Sequence, residues 1–207
     1  MARQRVESGP PGFTAGHSVY ASRRSYRPPG GSASASPSRP VDGGLRGYDP
    51  RWPRIFVAER RRVVAALGPA ARAAEHVGSS SVPGLSGRAE IDILVGVGNA
   101  DDVRASADRL ASIGYRTLAC SPPESEPYRL LTRHGSIPFE LLVVEHDSAL
   151  WRRHLGLRDH LRADPERARA YGRLKSRWAA RHGADTAGYK EAKRRFWAAV
   201  EVPSGER

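Results

Sequence analysis

The residues best equipped for chemistry are carboxylates set among apolar neighbours. Glu90 and Asp92 stand two apart in Glu90-Ile91-Asp92-Ile93-Leu94-Val95, so on a strand both side chains leave one face. Two such carboxylates repel each other unless water or a cation lies between them. Oxygen donors fixed on a strand suit Mg2+, which takes oxygen ligands and bridges to substrate phosphates. An edge strand facing water would accommodate the pair without a metal. The apolar run instead marks a central strand, where a carboxylate needs a reason. Glu140 is the one charged residue in Pro138-Phe139-Glu140-Leu141-Leu142-Val143-Val144. On a strand beside the first, it would complete a metal site of Glu90, Asp92 and Glu140; otherwise it is a strand-end residue reaching water.

Just upstream runs His76-Val77-Gly78-Ser79-Ser80-Ser81-Val82-Pro83-Gly84-Leu85. A strand that ends in Gly-Ser and turns into a short helix offers the backbone N–H groups and hydroxyls that a phosphate needs. Gly78, Ser79 and Ser80 are therefore nucleotide-binding candidates, although such runs also form ordinary turns. His76 either touches a phosphate or orients Ser79, or it is a buried structural histidine. Cys120 is the single cysteine, which excludes an intrachain disulfide, and with no basic or histidine neighbour it is given no chemistry.

The elements that must hold these residues follow from periodicity. Asp49-Pro50 reads as a helix start, with Trp52, Ile55, Phe56, Val63 and Leu67 on one face and Gly68-Pro69 as the stop. Strands are expected at 73–77, 90–97 and 115–119, with a hairpin of 128–133 and 137–144. Asn99 caps a helix that ends at Gly114. From Asp147 onward the pattern is helical: Asp147 and Asp164 are read as N-caps, and Asp185 or Thr186 begins a last helix to Val200. Trp52, Trp151, Trp178 and Trp197 occupy apolar helical positions and read as core. The fold class is α+β: a small mixed sheet with flanking helices over about 46–146, then a C-terminal helical segment over about 147–200.

Of the 207 residues, 34 are Lys or Arg and 22 are Asp or Glu, a net charge of +12. Only Lys175, Lys190 and Lys193 are lysines. Residues 1–45 are rich in Gly, Pro, Ser and Arg without periodicity, and read as a disordered tail before a domain at 46–205. The tail is either a solvated segment or a basic arm for nucleic acid. It holds six arginines and two acids, so most of the positive charge belongs to the domain. No stretch approaches the ~20 apolar residues of a membrane span, and no signal peptide is evident. A cytoplasmic protein with an anionic partner and no membrane partner is expected.

The segment from His76 to Leu85, followed by Ile91-Asp92-Ile93, resembles the signature of the GrpB family, in the polymerase-β-like nucleotidyltransferase superfamily. The resemblance includes Tyr48-Asp49-Pro50-Arg51-Trp52-Pro53 upstream. Downstream it includes Leu157 to Glu166, Tyr171, Leu174-Lys175, Tyr189 and Lys193. It covers about residues 47–200. It implies a Gly-Ser turn (Gly78, Ser79) holding a triphosphate and an acid-x-acid pair (Glu90, Asp92) binding two Mg2+ ions. Glu140 falls where a third acid would activate the acceptor as base or metal ligand. Cations for the phosphates are expected from Arg88, Arg158, Arg162, Lys175, Lys190 and Lys193, with Lys175 and Lys193 preferred at family-matching positions. Two departures stand out: Arg88-Ala89-Glu90 replaces a frequent Lys-Pro before an apolar residue, and Glu140-Leu141-Leu142 replaces a frequent His-x-His.

The implied function is a Mg2+-dependent nucleotidyltransferase moving a nucleoside monophosphate from an NTP to a small-molecule or other acceptor. Attack falls on the α-phosphorus and pyrophosphate leaves. The partners are thus an NTP and an unspecified acceptor, with nucleic acid not favoured. A non-catalytic nucleotide- or RNA-binding module is the competing reading, and an accessory domain of coenzyme A metabolism is a third. No P-loop is present, so the chain is not itself a P-loop kinase.

Overall fold

The computed structural model describes residues 40–41, 45–122, 124–183 and 187–199. Residues 1–39 and 42–44 of the tail expected at 1–45, the helix starts at Asp185 and Thr186, and the Trp197 side chain lie outside the described residues. The order of elements is β1 (Pro40–Val41), β2 (Leu45–Arg46), α1 (Trp52–Leu67), β3 (Ala71–Val77), β4 (Ile91–Val97), α2 (Ala100–Ala111), β5 (Arg116–Cys120), β6 (Tyr128–Arg133), β7 (Phe139–Glu145), α3 (Ala149–Ala163), α4 (Pro165–His182) and α5 (Ala187–Ala199). The fold is mixed α+β, as the periodicity indicates. Among the described residues no helix is long and apolar enough to cross a membrane.

Five strands form one sheet in the order β3-β4-β7-β6-β5. β4 runs parallel to β7 and antiparallel to β3, while the β5-β6-β7 pairings are antiparallel. Every residue of β4 is buried, which explains its unbroken apolar run: a strand covered on both faces has no polar side to show. Odd-numbered residues of β4 and β7, from Ile91 to Val97 and from Phe139 to Val143, pack with Trp52, Val63 and Leu67 of α1 and Val103 and Leu110 of α2. Even-numbered Leu94, Leu142 and Val144 meet Trp151 of α3 on the other face. Gly96 makes room there, since a Cβ on it would lie 2.9 Å from Trp151 Cζ3.

The helix starts are partly as expected. Asn99 caps α2 by accepting from the Asp102 N–H, and Asp164 caps α4 by accepting from the Arg167 N–H. Asp49 does not cap α1. Its carboxylate accepts from the Arg51 N–H at 2.9 Å and pairs with the Arg51 guanidinium, so the helix begins later, at Trp52. Nor is Asp147 a cap: it takes a positive φ of 60°, and the Ser148 hydroxyl accepts from the Trp151 N–H instead. Asp147 turns the chain, and the residue after it caps the helix. Two described pieces of the segment read as a tail, residues 40–41 and 45, are structured. β1 pairs with β2, and Leu45 is buried against Ala179 and Tyr189 of the C-terminal helices.

Behind the sheet lies a buried ionic cluster. Glu59 of α1 accepts from Arg133 of β6 at 2.6 Å, from Arg62 at 2.9 Å and from the Tyr115 hydroxyl at 2.9 Å. Arg133 also covers the Phe139 ring, 4.6 Å from its centroid. Removing one partner of a buried charge leaves the other without compensation. Arg133→Ala is therefore expected to destabilise the fold by about 3 kcal/mol, the lower end for broken buried pairs because Arg62 stays on Glu59. Urea unfolding followed by tryptophan fluorescence measures it; a loss under ~1 kcal/mol would contradict the account.

Candidate active site

The site is built where β3 ends, β4 begins and β7 lies alongside. β3 terminates at Val77, and Gly78 turns the chain with φ 70° into a single 3-10 turn, Ser79–Ser81. That positive φ suits glycine, and the space demands it as well. A Cβ on Gly78 would lie 2.0 Å from Asp92 Oδ2. The turn thus sits directly on the Asp92 carboxylate. Gly87 makes a second close approach: a Cβ there would lie 2.0 Å from Ser79 Oγ and 3.5 Å from Lys175 Nζ. Arg46 of β2 holds Gly87 by two backbone hydrogen bonds, of 2.7 and 2.9 Å.

Asp92 and Glu140 are register partners on the parallel strands β4 and β7, so their side chains leave the same face at adjacent positions. Both are buried, as is Glu90 just before β4. Glu140 has interactions within the fold, yet its Oε2 atom accepts no hydrogen bond from a described residue. Glu90 forms an ion pair with Arg88. Among the described residues no group of three or more His, Cys, Asp and Glu side chains is placed to hold a metal ion together. Asp92 and Glu140 are adjacent in register, and Glu90, two residues before Asp92, is engaged by Arg88.

Lys175 of α4 enters from the helical segment. It is only 3% exposed, its Nζ lies 5.4 Å from the Tyr171 ring centroid, and it feels the charges of Asp92, Glu90, Arg88 and Lys193. Burial, followed by the nearby Lys193, pushes its ammonium well below the usual lysine range, while Asp92 and Glu90 pull the other way. Lys193 lies over Tyr189, 5.7 Å from the ring centroid. The helices are seated here by Val82 and Leu85, which pack with Leu161, Ala168 and Tyr171. The segment that forms the turn also anchors the helices that bring the lysine.

The GrpB protein family model matches residues 44–202. The chain belongs to the GrpB family. It is 33% identical over 162 residues to UPF0157 protein SCO7215 of Streptomyces coelicolor, covering 78% of this chain and 84% of that protein. It is 28% identical over 153 residues to the glutamate-rich protein GrpB of Alkalihalophilus pseudofirmus, covering 72% and 88% respectively. The crystal structure of the conserved protein GrpB from Enterococcus faecalis matches with a TM-score of 0.64 and 29% identity, over 74% of this chain and 93% of that one. The poly(U) polymerase Cid1, solved with Mg and 3'-dATP bound, matches with a TM-score of 0.51 and 14% identity, over 70% of this chain and 49% of that one. That likeness is one of fold: this GrpB chain has a nucleotidyltransferase-like sheet and helices.

In this GrpB chain Gly78, Ser79, Asp92, Glu90, Arg88, Glu140, Lys175 and Lys193 gather around one corner of the sheet. Three other candidates do not face it in the expected way. His76 pairs in register with Ile93, so it points to the face opposite Asp92. There it stacks on Phe56 with ring centroids 4.7 Å apart, and its Nε2 meets Ser80 Oγ at 3.0 Å. His76 and the fully buried Ser80 hold the turn from behind. Arg158 pairs with Glu75 at 2.6 Å and with Asp159 at 2.7 Å, bracing α3 against the edge strand. Sequence reasoning missed Gly87, whose contact with Ser79 depends on a chain reversal; Arg162, expected as a phosphate cation, donates to the Ser81 carbonyl at 2.9 Å.

Two outcomes follow. Gly78→Ala puts a Cβ into Asp92 at a positive φ, and is expected to cost about 1–3 kcal/mol of stability and to displace the carboxylate; thermal melting measures the loss, and an unchanged Tm would refute the contact. Burial, then the charges of Arg162 and Arg158, lowers the His76 pKa to about 4. The unfolded chain therefore binds the proton first. Stability from this group is complete above pH ~6.5 and falls by up to ~3 kcal/mol as pH drops towards 4. His76→Gln is expected to flatten that part of the profile; an unchanged slope would show that His76 does not cause it.

Proposed function

We propose that this GrpB protein is a Mg2+-dependent nucleotidyltransferase that transfers a nucleoside monophosphate from an NTP to an acceptor and releases pyrophosphate. The observation that carries the reading is the contact of the Gly78-Ser79 turn with Asp92, whose register partner is Glu140. A Gly-Ser turn laid on a buried acid pair suits such a reaction. Mg2+ commonly takes only one or two protein carboxylates and completes its shell with phosphate and water, so Asp92 and Glu140 fit it as a pair. Bound there, it would supply positive charge to the reacting phosphate oxygens.

The chain's own residues account for the rest. Ser79 and the backbone of the turn hold the phosphates, with Gly78 and Gly87 allowing the close approach. Lys175 gains most from an arriving triphosphate, because added negative charge relieves an ammonium that burial and Lys193 now disfavour. Lys193 and Arg88 add charge around it. The acceptor hydroxyl or amine attacks the α-phosphorus, its proton passes to Glu140 or to water, and the bond to the pyrophosphate oxygen breaks. Positioning and charge stabilisation do the catalytic work. His76, Ser80 and Arg158 act at a distance by fixing the turn and α3.

The test is pyrophosphate release from each of the four NTPs with Mg2+ and a pool of candidate acceptors. Activity is expected with the native protein and a loss of 100-fold or more is expected in Asp92→Asn, on the order of losing one charge-stabilising group. Lys175→Met is expected to weaken NTP binding by about tenfold or more, since it removes the ammonium's phosphate contact, and to lower stability as well, because Asp92 and Glu90 lose a nearby positive charge. No pyrophosphate with any NTP, together with unchanged NTP binding in Asp92→Asn, would refute the reading.

A further inference from the structure

The outer face of α4 carries a feature that the NTP site does not use. Arg169, Arg173, Arg177 and Arg181 recur every fourth residue along it, and all four are exposed. The helix has one acid, Glu166, which pairs with Arg169. Beside this row lies an open groove of about 400 Å3 between α4 and the segment that follows the turn. Its floor is small and smooth: Gly84, Leu85 and Ser86 on one side, Ala168, Gly172 and Ser176 on the other. Gly172 keeps the walls close, since a Cβ there would lie 3.4 Å from Leu85 Cδ1 and 3.7 Å from Ser86 Oγ. Arg169, Arg173 and Arg177 line its rim, and no acid lines it.

We propose that this groove is a track for the sugar-phosphate backbone of a single-stranded nucleic acid. Residues four apart on a helix rise by about 6 Å, close to the repeat of phosphates along one extended strand, so successive arginines can each meet a phosphate. An open groove with a row of cations along its rim and small residues on its floor suits a repeated backbone better than a single small ligand. The groove also leads towards the chemistry: Ser86 precedes Gly87, which touches Ser79 and Lys175, and Ser176 follows Lys175. A strand lying along α4 would bring its end towards the turn. Its service as the acceptor rests on the nucleotidyltransferase reading, whereas the binding itself does not.

The experiment titrates the full chain into a fluorescently labelled 15-nucleotide single-stranded RNA, without NTP, over a series of KCl concentrations. The double variant Arg173→Gln/Arg177→Gln is compared with Arg54→Gln/Arg61→Gln, which removes the same charge from exposed positions on α1. Affinity is expected to fall about tenfold or more in the first and less than twofold in the second. The log–log salt slope of the first should shrink by about 1.4, the value for two lost single-strand phosphate contacts. Equal losses in both variants, or equally tight binding of a duplex of the same length, would overturn the track. NTP binding by Arg173→Gln/Arg177→Gln, measured separately, should match the native protein. Native RNA binding with no NTP turnover would remove the transferase reading and leave the track standing; turnover with variant-insensitive RNA binding would do the reverse.

Discussion

A carboxylate on a strand covered from both sides is costly unless positive charge or hydrogen bonds reach it, and the surroundings of β4 are organised around that requirement. Asp92 occupies the second position of a strand with no exposed residue. Glu140 stands beside it, which would raise the cost further if nothing compensated. Lys175 is brought in from α4 and is itself shifted strongly by burial. Neither sign of charge is comfortable alone. The helical segment therefore completes an electrostatic balance that begins in the sheet, and its seating against Val82 and Leu85 ties that balance to the turn.

The sheet divides the labour between its two faces. The face with α1 and α2 carries the larger apolar cluster, the Glu59-Arg133-Tyr115 cluster and the His76-Ser80 support of the turn. The opposite face carries the acids, Lys175 and the C-terminal helices. The turn at Gly78 lies between them and is fixed from both: His76 holds Ser80 behind, Asp92 meets Gly78 in front, and Arg162 takes the Ser81 carbonyl. Such double fixing gives a phosphate-binding turn the rigidity that positioning requires.

Much of this was legible because it depends on local rules. Apolar runs marked β4 and β7, Asn99 and Asp164 announced their caps, and the scarcity of lysine singled out Lys175. What escaped depended on partners distant in sequence or on competing local geometry. Asp49 looks like a cap, but the following arginine takes its carboxylate. Asp147 also looks like one, but it adopts the left-handed turn and leaves the task to Ser148. The side of the sheet on which His76 falls is set by its pairing with Ile93, and alternation along one strand cannot supply that. Glu90 shares a face with Asp92 by spacing, yet its neighbour Arg88 engages it. Most of the tail lies outside the described residues, but Leu45 at its end packs on helices more than a hundred residues away, which composition alone does not show.

The position of β7 has a consequence for how the site comes into being. It is the last strand of the main sheet in sequence, yet it lies between β4 and β6. Its parallel pairing with β4 spans α2, β5 and β6, a long loop to close, whereas the β6-β7 hairpin is local. Non-local pairings of this kind carry the greater closure entropy and slow the search. Asp92 and Glu140 therefore meet only when the hairpin docks onto β4. A nascent chain that has made β3, the turn and β4 holds half of the acid pair and no opposing lysine. The charged centre is a product of the final topology, assembled from parts that are separately incomplete.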